Sequence, residues 1–375
     1  MVGLTGLIIA MTSAALILVG PSQAWAKTTI NVCATCMYTT IQGAISEATP
    51  GDTIQIASGT YTGLLRIDEN LTLLGAGQDQ TTISGGAPVI TITGSAVSVM
   101  ILGVTISGGS NALSPSGSGG GIFNTGNVTL NNSPVTGNFA AGSGGGIFNT
   151  GEVTLNNSPV TGNGASGGSG ISNTGTVTLN NSAVSGNYAY SYGGAGISNT
   201  GKVTLNNSPV HDNGQGGIVN DGGTVTLNNS PVTGNGTCGH CVGGGINNYE
   251  GGKMTLNSSP ISGNGAYGGG GINNVGVVTL NSSPVSSNEA FGGVGGGGIL
   301  NAGMVTLNKS PVSGNTAANE GGGINNAGTV TLNKSPVSGN TASIGGGIFI
   351  SAGTVTLNKS PVSGNIPDQC SPVAC

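Results

Sequence analysis

Beyond residue 119 the apolar positions of the chain follow a short pattern that returns about every 25 residues. Residues 119–138 read GGGIFNTGNVTLNNSPVTGN and residues 144–163 read GGGIFNTGEVTLNNSPVTGN, with one change, Asn127 to Glu152. Aligned on the isoleucine after the glycine run, ten units start at Ile122, Ile147, Ile171, Ile197, Ile218, Ile246, Ile272, Ile299, Ile324 and Ile348. In each unit the stretch V-T-L alternates with period two, and no segment spaces its apolar residues as a helix would. Three short extended runs per unit, each ended by Gly, Asn or Pro, make one turn of a coil. Its strands pair with their equivalents above and below, and each rung adds about 4.8 Å. The expected fold is all-β: a single-stranded right-handed parallel β-helix, a solenoid with three short strands per rung.

The pattern V-T-L-N-x-S-x-V-x-x-N, as in Val128–Asn138, keeps one length in every unit, with Met254 replacing the first Val once. Length changes fall in the turn before it and in the loop after its last Asn. Period two sends Ile122, Val128, Leu130 and Val135 inward and Thr129 outward, so ten threonines form one column. Asn131 and Asn138 recur in every unit, which predicts stacked asparagines that satisfy turn backbone. Pro134 has counterparts in all units but one, where Ala183 stands. Lacking an N–H, proline belongs at a corner ahead of a strand. A single rung buries too few apolar side chains to order its own backbone, so repetition is first a structural requirement.

The segment before the repeats is less regular. Tyr38, Ile41, Ile45 and Ala48 lie on one face of a short amphipathic helix, expected to cap the open first rung. Strands are expected at Leu71–Leu74, Val89–Thr93 and Val97–Ile106. The chain thus divides into residues 1–26, an export signal; 27–110, the cap and first rungs; 111–365, the ten-unit β-helix; and 366–375, a tail. The signal reading rests on the apolar run Leu4–Val19 and on Ala24-Trp25-Ala26 before Lys27. No second run is long enough to span a membrane, so an extracellular or cell-surface location is expected. Six cysteines form three close pairs, Cys33/Cys36, Cys238/Cys241 and Cys370/Cys375. In an exported chain they read as disulfides, with local pairing the simplest arrangement and bridges between pairs left open.

Composition narrows the function classes. The 375 residues include 75 glycines, and only 5% are charged. Such glycine content without a collagen period suggests low complexity, but apolar residues at fixed offsets are foreign to disordered tracts. A net charge of −5 and a single arginine, Arg66, exclude nucleic acid as a partner.

Residues 38–77, YTTIQGAISEATPGDTIQIASGTYTGLLRIDENLTLLGAG, resemble the opening of right-handed β-helix repeat proteins of the pectin lyase-like superfamily. The GGGIxN and VxGN units resemble repeats of polymorphic outer membrane proteins and related adhesins. Together the two resemblances cover nearly all of the chain after residue 26. They imply the fold firmly and allow two activities, surface adhesion or polysaccharide cleavage. Enzymes of that superfamily work with clustered acids, calcium and a basic residue on adjacent rungs.

The residues themselves favour binding over cleavage. Acid–base work on a glycosidic bond needs paired carboxylates, yet the twelve acidic residues are scattered. Arg66 with Asp68 and Glu69 is the densest charged group, read as a solvated turn, with a catalytic role as the alternative. The glycine runs carry no Asp for calcium, and no metal or cofactor is expected. Cys238-Gly-His240-Cys241 matches a redox motif, but no helix follows it to stabilise a thiolate, so a structural disulfide is preferred. The variable loops share one edge of the rod and carry Phe139, Tyr188, Tyr190, Tyr192, Tyr267 and Phe291. Such rings either stack on sugars or fold back over the glycine corners. Lys309, Lys334 and Lys359 share one aligned position where earlier units have Asn or Ser. They either discourage end-to-end sticking or touch an anionic polymer. The leading expectation is a non-catalytic module that binds a polysaccharide or cell-surface ligand. A pectate lyase-like lyase or hydrolase is the alternative, and ice binding through the threonine column ranks below it.

Overall fold

The computed structural model describes residues 27–112, 117–190, 196–236, 243–293 and 295–372; the expected export segment lies outside them. Three parallel sheets of 14, 13 and 13 strands run the length of the rod, one strand of each per rung. Asn127–Asn131 belongs to the first, here the VTL sheet, and Val135–Thr136 to the second, the hydroxyl sheet. Ile122–Asn124 belongs to the third, the isoleucine sheet. Successive units pair without slippage: Ile122 with Ile147, Val128 with Val153, Leu130 with Leu155, Val135 with Val160. The β-helix expected from the repeat is therefore the fold.

The inward set is as the alternation predicts. Ile122, Val128, Leu130 and Val135 are buried, and their equivalents join one core from Val32 to Ile348. Prolines stand ahead of the hydroxyl-sheet strands, where their carbonyls accept ladder bonds, as from Ile106 N–H to Pro134 O at 2.9 Å. One feature exceeds the three-strand expectation. The loops after the hydroxyl sheet pair into short extra ladders, one from Ser110–Asn111 to Tyr188–Ala189 and one from Gly265–Ala266 to Thr316–Ala317. In the second of these ladders Ala290 and Ala317 are buried and pack with Ala342 in a small cluster of their own.

Asparagine columns close the corners. The Asn138 side-chain amide donates to Asn163 Oδ1 at 3.0 Å and to the backbone carbonyls of Ile106 and Thr136. The same Asn163 Oδ1 accepts the Asn138 backbone N–H at 3.0 Å. This arrangement repeats down to Asn365, where Gln369 Oε1 takes the place of the next asparagine. A second buried column, unforeseen in the sequence reading, runs through Asn124, Asn149 and Asn173, each amide donating to the next at 2.7 to 2.8 Å. The Asn131 column is half-exposed and runs the other way, Asn156 donating back to Asn131 at 2.8 Å. Glycines sit where rungs approach most closely. A β-carbon on Gly146 would lie 2.6 Å from Gly170 O and 3.0 Å from Asn163 Nδ2, so any side chain there collides with the next rung.

The cap differs in detail from expectation. Thr40 caps the helix Ile41–Glu47 by accepting from Gly43 N–H, and the helix buries Ile41, Ala44 and Ile45. Tyr38 and Ala48 flank the helix and pack on the core, because the Thr40 cap and the extended Ala48 confine the helix between them. An unforeseen strand, Thr29–Val32, begins the VTL sheet by pairing with Thr53–Ile56. The expected strand Val97–Ile106 is two strands, Ser98–Leu102 and Thr105–Ser107, in different sheets. Cys33 and Cys36 are bonded to each other, as local pairing predicts, and Cys370 is disulfide-bonded. Cys238, Cys241 and Cys375 lie outside the described residues.

Asp52 ties the cap to the first rung. It is buried and accepts from Thr28 N–H at 2.7 Å and from the Thr49 N–H and hydroxyl at 2.9 Å. Burial pushes its carboxyl up, but the hydrogen bonds from Thr28 and Thr49 outweigh it and hold the pKa at about 2. A depressed folded-state pKa stabilises fully above the unfolded value of 3.8 and is lost as pH falls through about 2. Thermal unfolding of the wild type should therefore lose stability over that window, and Asp52→Asn should flatten the loss while lowering Tm at neutral pH. In the middle of the rod, Asn213→Ala strands the Asn187 N–H groups that now bond it. It should cost roughly 2–3 kcal/mol by chemical denaturation, against less than about 1 for the half-exposed Asn206→Ala.

Candidate functional site

A rod of identical rungs is distinctive only where its corners vary. The loop edge after the hydroxyl sheet holds the expected rings. Phe139, Gly164 and Tyr188 are vertical neighbours in one ladder. Glycine in the middle leaves a gap that rings two rungs apart can close; a β-carbon on Gly164 would lie 2.8 Å from Tyr188 Cζ. Tyr190 packs edge-on against both Phe139 and Tyr188, with ring centroids 5.7 and 5.4 Å apart. The hydrogen bond with Tyr190, then burial, pushes the Tyr188 phenol above its usual range. Tyr188 remains 45% exposed and Tyr190 64%, so the cluster covers a glycine and still offers ring surface to solvent. Tyr192 lies outside the described residues.

Tyr267 and Phe291 form a separate group farther along. Their strands pair Gly265 with Glu289 and Ala266 with Ala290, which brings the two rings to adjacent rungs. Tyr267 lies over Gly292 and Phe291 approaches Gly265. Both follow the fold-back reading in part, and both stay more than a third exposed. The sequence reading missed a third aromatic feature, the parallel stack of Phe123 and Phe148 on the isoleucine sheet, centroids 5.3 Å apart. The repeated IFN triplet was its signal, since Phe beside an inward Ile must point outward.

Charged residues come near one another chiefly at the N-terminal end of the rod. Arg66 and Asp68 are exposed, and Gln42 Oε1 accepts the Arg66 backbone N–H at 2.8 Å. The Glu69 carboxyl is pushed up by burial and by the charges of Asp68 and Asp52. Among the described residues the one contact of salt-bridge length is the hydrogen bond between His211 Nδ1 and Asp212 Oδ2, 2.7 Å apart. Two acids on the rod have uncharged vertical neighbours: Glu152 lies between Asn127 and Thr176, and Glu289 between Gly265 and Thr316. No three His, Cys, Asp or Glu side chains among the described residues come together as a metal would need. The threonine column is continuous and half-exposed. Its neighbouring outward column mixes Glu152, Thr176, Lys202 and Lys253, which roughens that face.

The corner between the VTL and hydroxyl sheets holds the lysine column. Lys309, Lys334 and Lys359 occupy one register position and have φ of 50, 52 and 54°. Asn132 and its counterparts adopt the same left-handed turn in earlier rungs, where Asn or Ser stands. Left-handed backbone costs an L-residue roughly 1–2 kcal/mol, which Asn offsets with local hydrogen bonds and Lys does not. With Asn308, Asn333, Asn358 and Leu357 the lysines line a shallow concavity of about 540 Å³.

No family model and no curated protein matches this chain. Solved structures similar to it include the A-module of an Azotobacter vinelandii mannuronan C-5 epimerase, 16% identical, with a TM-score of 0.49 over 89% of this chain and 94% of that one. A pectate lyase is 18% identical over 93% of this chain and 82% of its own, with a TM-score of 0.43. A pectin methylesterase from Aspergillus niger is 14% identical over 77% and 86%, with a TM-score of 0.35.

Proposed function

We propose that this chain is an exported, non-catalytic β-helix that binds glycans through its loop edge. The observation that carries the reading is the cluster in which Tyr190 packs on both Phe139 and Tyr188, with Tyr188 and Tyr190 open to solvent along one edge. A flat apolar ring presented on a rigid ladder suits the C–H faces of a sugar, and the Tyr188 and Tyr190 hydroxyls can bond its polar rim. Tyr267 and Phe291 extend the same edge, which suits a chain of sugars better than a single one. Export is supported by the apolar run Leu4–Val19 and by the Cys33–Cys36 disulfide. The register of the acids supports binding without cleavage, since vertical stacking keeps Glu152 and Glu289 apart from other carboxylates.

A glycan array probed with the purified chain tests this reading. Binding should appear, and Tyr188→Ala with Tyr190→Ala should weaken it at least tenfold without moving Tm by more than a few degrees. Unchanged binding in that variant removes the site. Release of reducing or unsaturated sugar from a polyuronate, abolished by Arg66→Ala, would establish an enzyme instead.

A further inference from the structure

The lysine column at the corner between the VTL and hydroxyl sheets in the last rungs is a second distinctive feature, separate from the aromatic edge. Three of the seven cationic residues of a chain with net charge −5 stand in one vertical line. Backbone ladders set their spacing: Lys309 N–H donates to Asn333 O at 2.9 Å and Lys334 N–H to Asn358 O at 2.8 Å. Adjacent ammonium-bearing side chains therefore start about 4.8 Å apart, close enough to repel. None of the three makes an ion pair among the described residues. Each also holds a left-handed turn, a conformation costly for Lys and easier for the Asn that fills it in five earlier rungs. In the free protein the column thus carries repulsion and backbone strain together, with no internal charge to relieve either.

We infer that Lys309, Lys334 and Lys359 form a binding site for a linear anionic glycan lying along the rod axis. A polymer with an acidic group on each sugar repeats its charge on the length scale of the rungs, so one strand meets all three ammonium groups. The neighbouring Asn308, Asn333 and Asn358 suit hydroxyl groups: each amide donates one hydrogen to the rung before it and keeps a second. Acidic residues are few here; Glu320 and Asp368 are the only ones after residue 300.

Calorimetry of the full chain with alginate, dextran sulfate, neutral dextran and a poly-dT oligonucleotide tests the site. Binding to alginate or dextran sulfate is expected, weakening steeply with added salt, and the better of the two identifies carboxylate or sulfate as the preferred group. The triple variant Lys309→Asn, Lys334→Asn, Lys359→Asn restores the residue of earlier rungs. It should bind at least tenfold more weakly with Tm at or above the wild-type value, while the triple Arg variant retains binding. Failure of the wild type to bind either acidic glycan overturns the inference. So does equal binding by the triple Asn variant, equal binding of neutral dextran, or a preference for the oligonucleotide.

Discussion

From Asn124 onward the rungs of this protein turn corners on buried asparagines, and along each column these side chains donate to one vertical neighbour and accept from the other. In the Asn138 column one Oδ1 satisfies two N–H groups of the rung before, while the amide reaches backbone carbonyls of its own rung and of the previous one. A buried corner without such a partner would leave backbone polar groups orphaned, at a cost of roughly 1–3 kcal/mol for each group. The column starts from Gly109 N–H, which donates to Asn138 Oδ1, and ends on Gln369. This asparagine column is therefore satisfied at both of its ends.

That constraint governs where variation is tolerated. A side chain facing inward must fit between identical neighbours, so Ile122, Leu130 and Val135 scarcely change down the stack. Glycines under the next rung's carbonyls are equally bound, as Gly146 under Gly170 O illustrates. Freedom remains at the loop after the ladder asparagine and at the left-handed turn position. The first holds Phe139, Tyr188 and Tyr190; the second holds the three lysines. Distinctive chemistry appears at the two places where stacking exerts least control.

The repeat made most of the architecture legible, including strand faces, the threonine column and the Asn138 column, because period-two alternation and constant spacing are local properties. The strand Thr29–Val32 was not legible, since its pairing with Thr53–Ile56 is not announced by any copy of the repeat. The Asn124 column was equally hidden. Its asparagine follows the inward Ile by two residues, as a core position would, and only stacking shows that amides can fill such a position by bonding one another. At the candidate site the sequence offered six rings on one edge without saying which of them meet.

From its residues alone this chain determined a parallel β-helix with about 25 residues per rung, the inward aliphatic set and the aligned position of the lysines. Those follow from periodicity, which comparison of the units along the sequence displays. Tertiary structure alone decided that Tyr190 touches both Phe139 and Tyr188, that the loops add ladders of their own, and that the lysines sit in strained left-handed turns. These depend on the vertical distance between rungs and on whether a glycine lies between two rings. Such quantities exist only once different units are stacked in register.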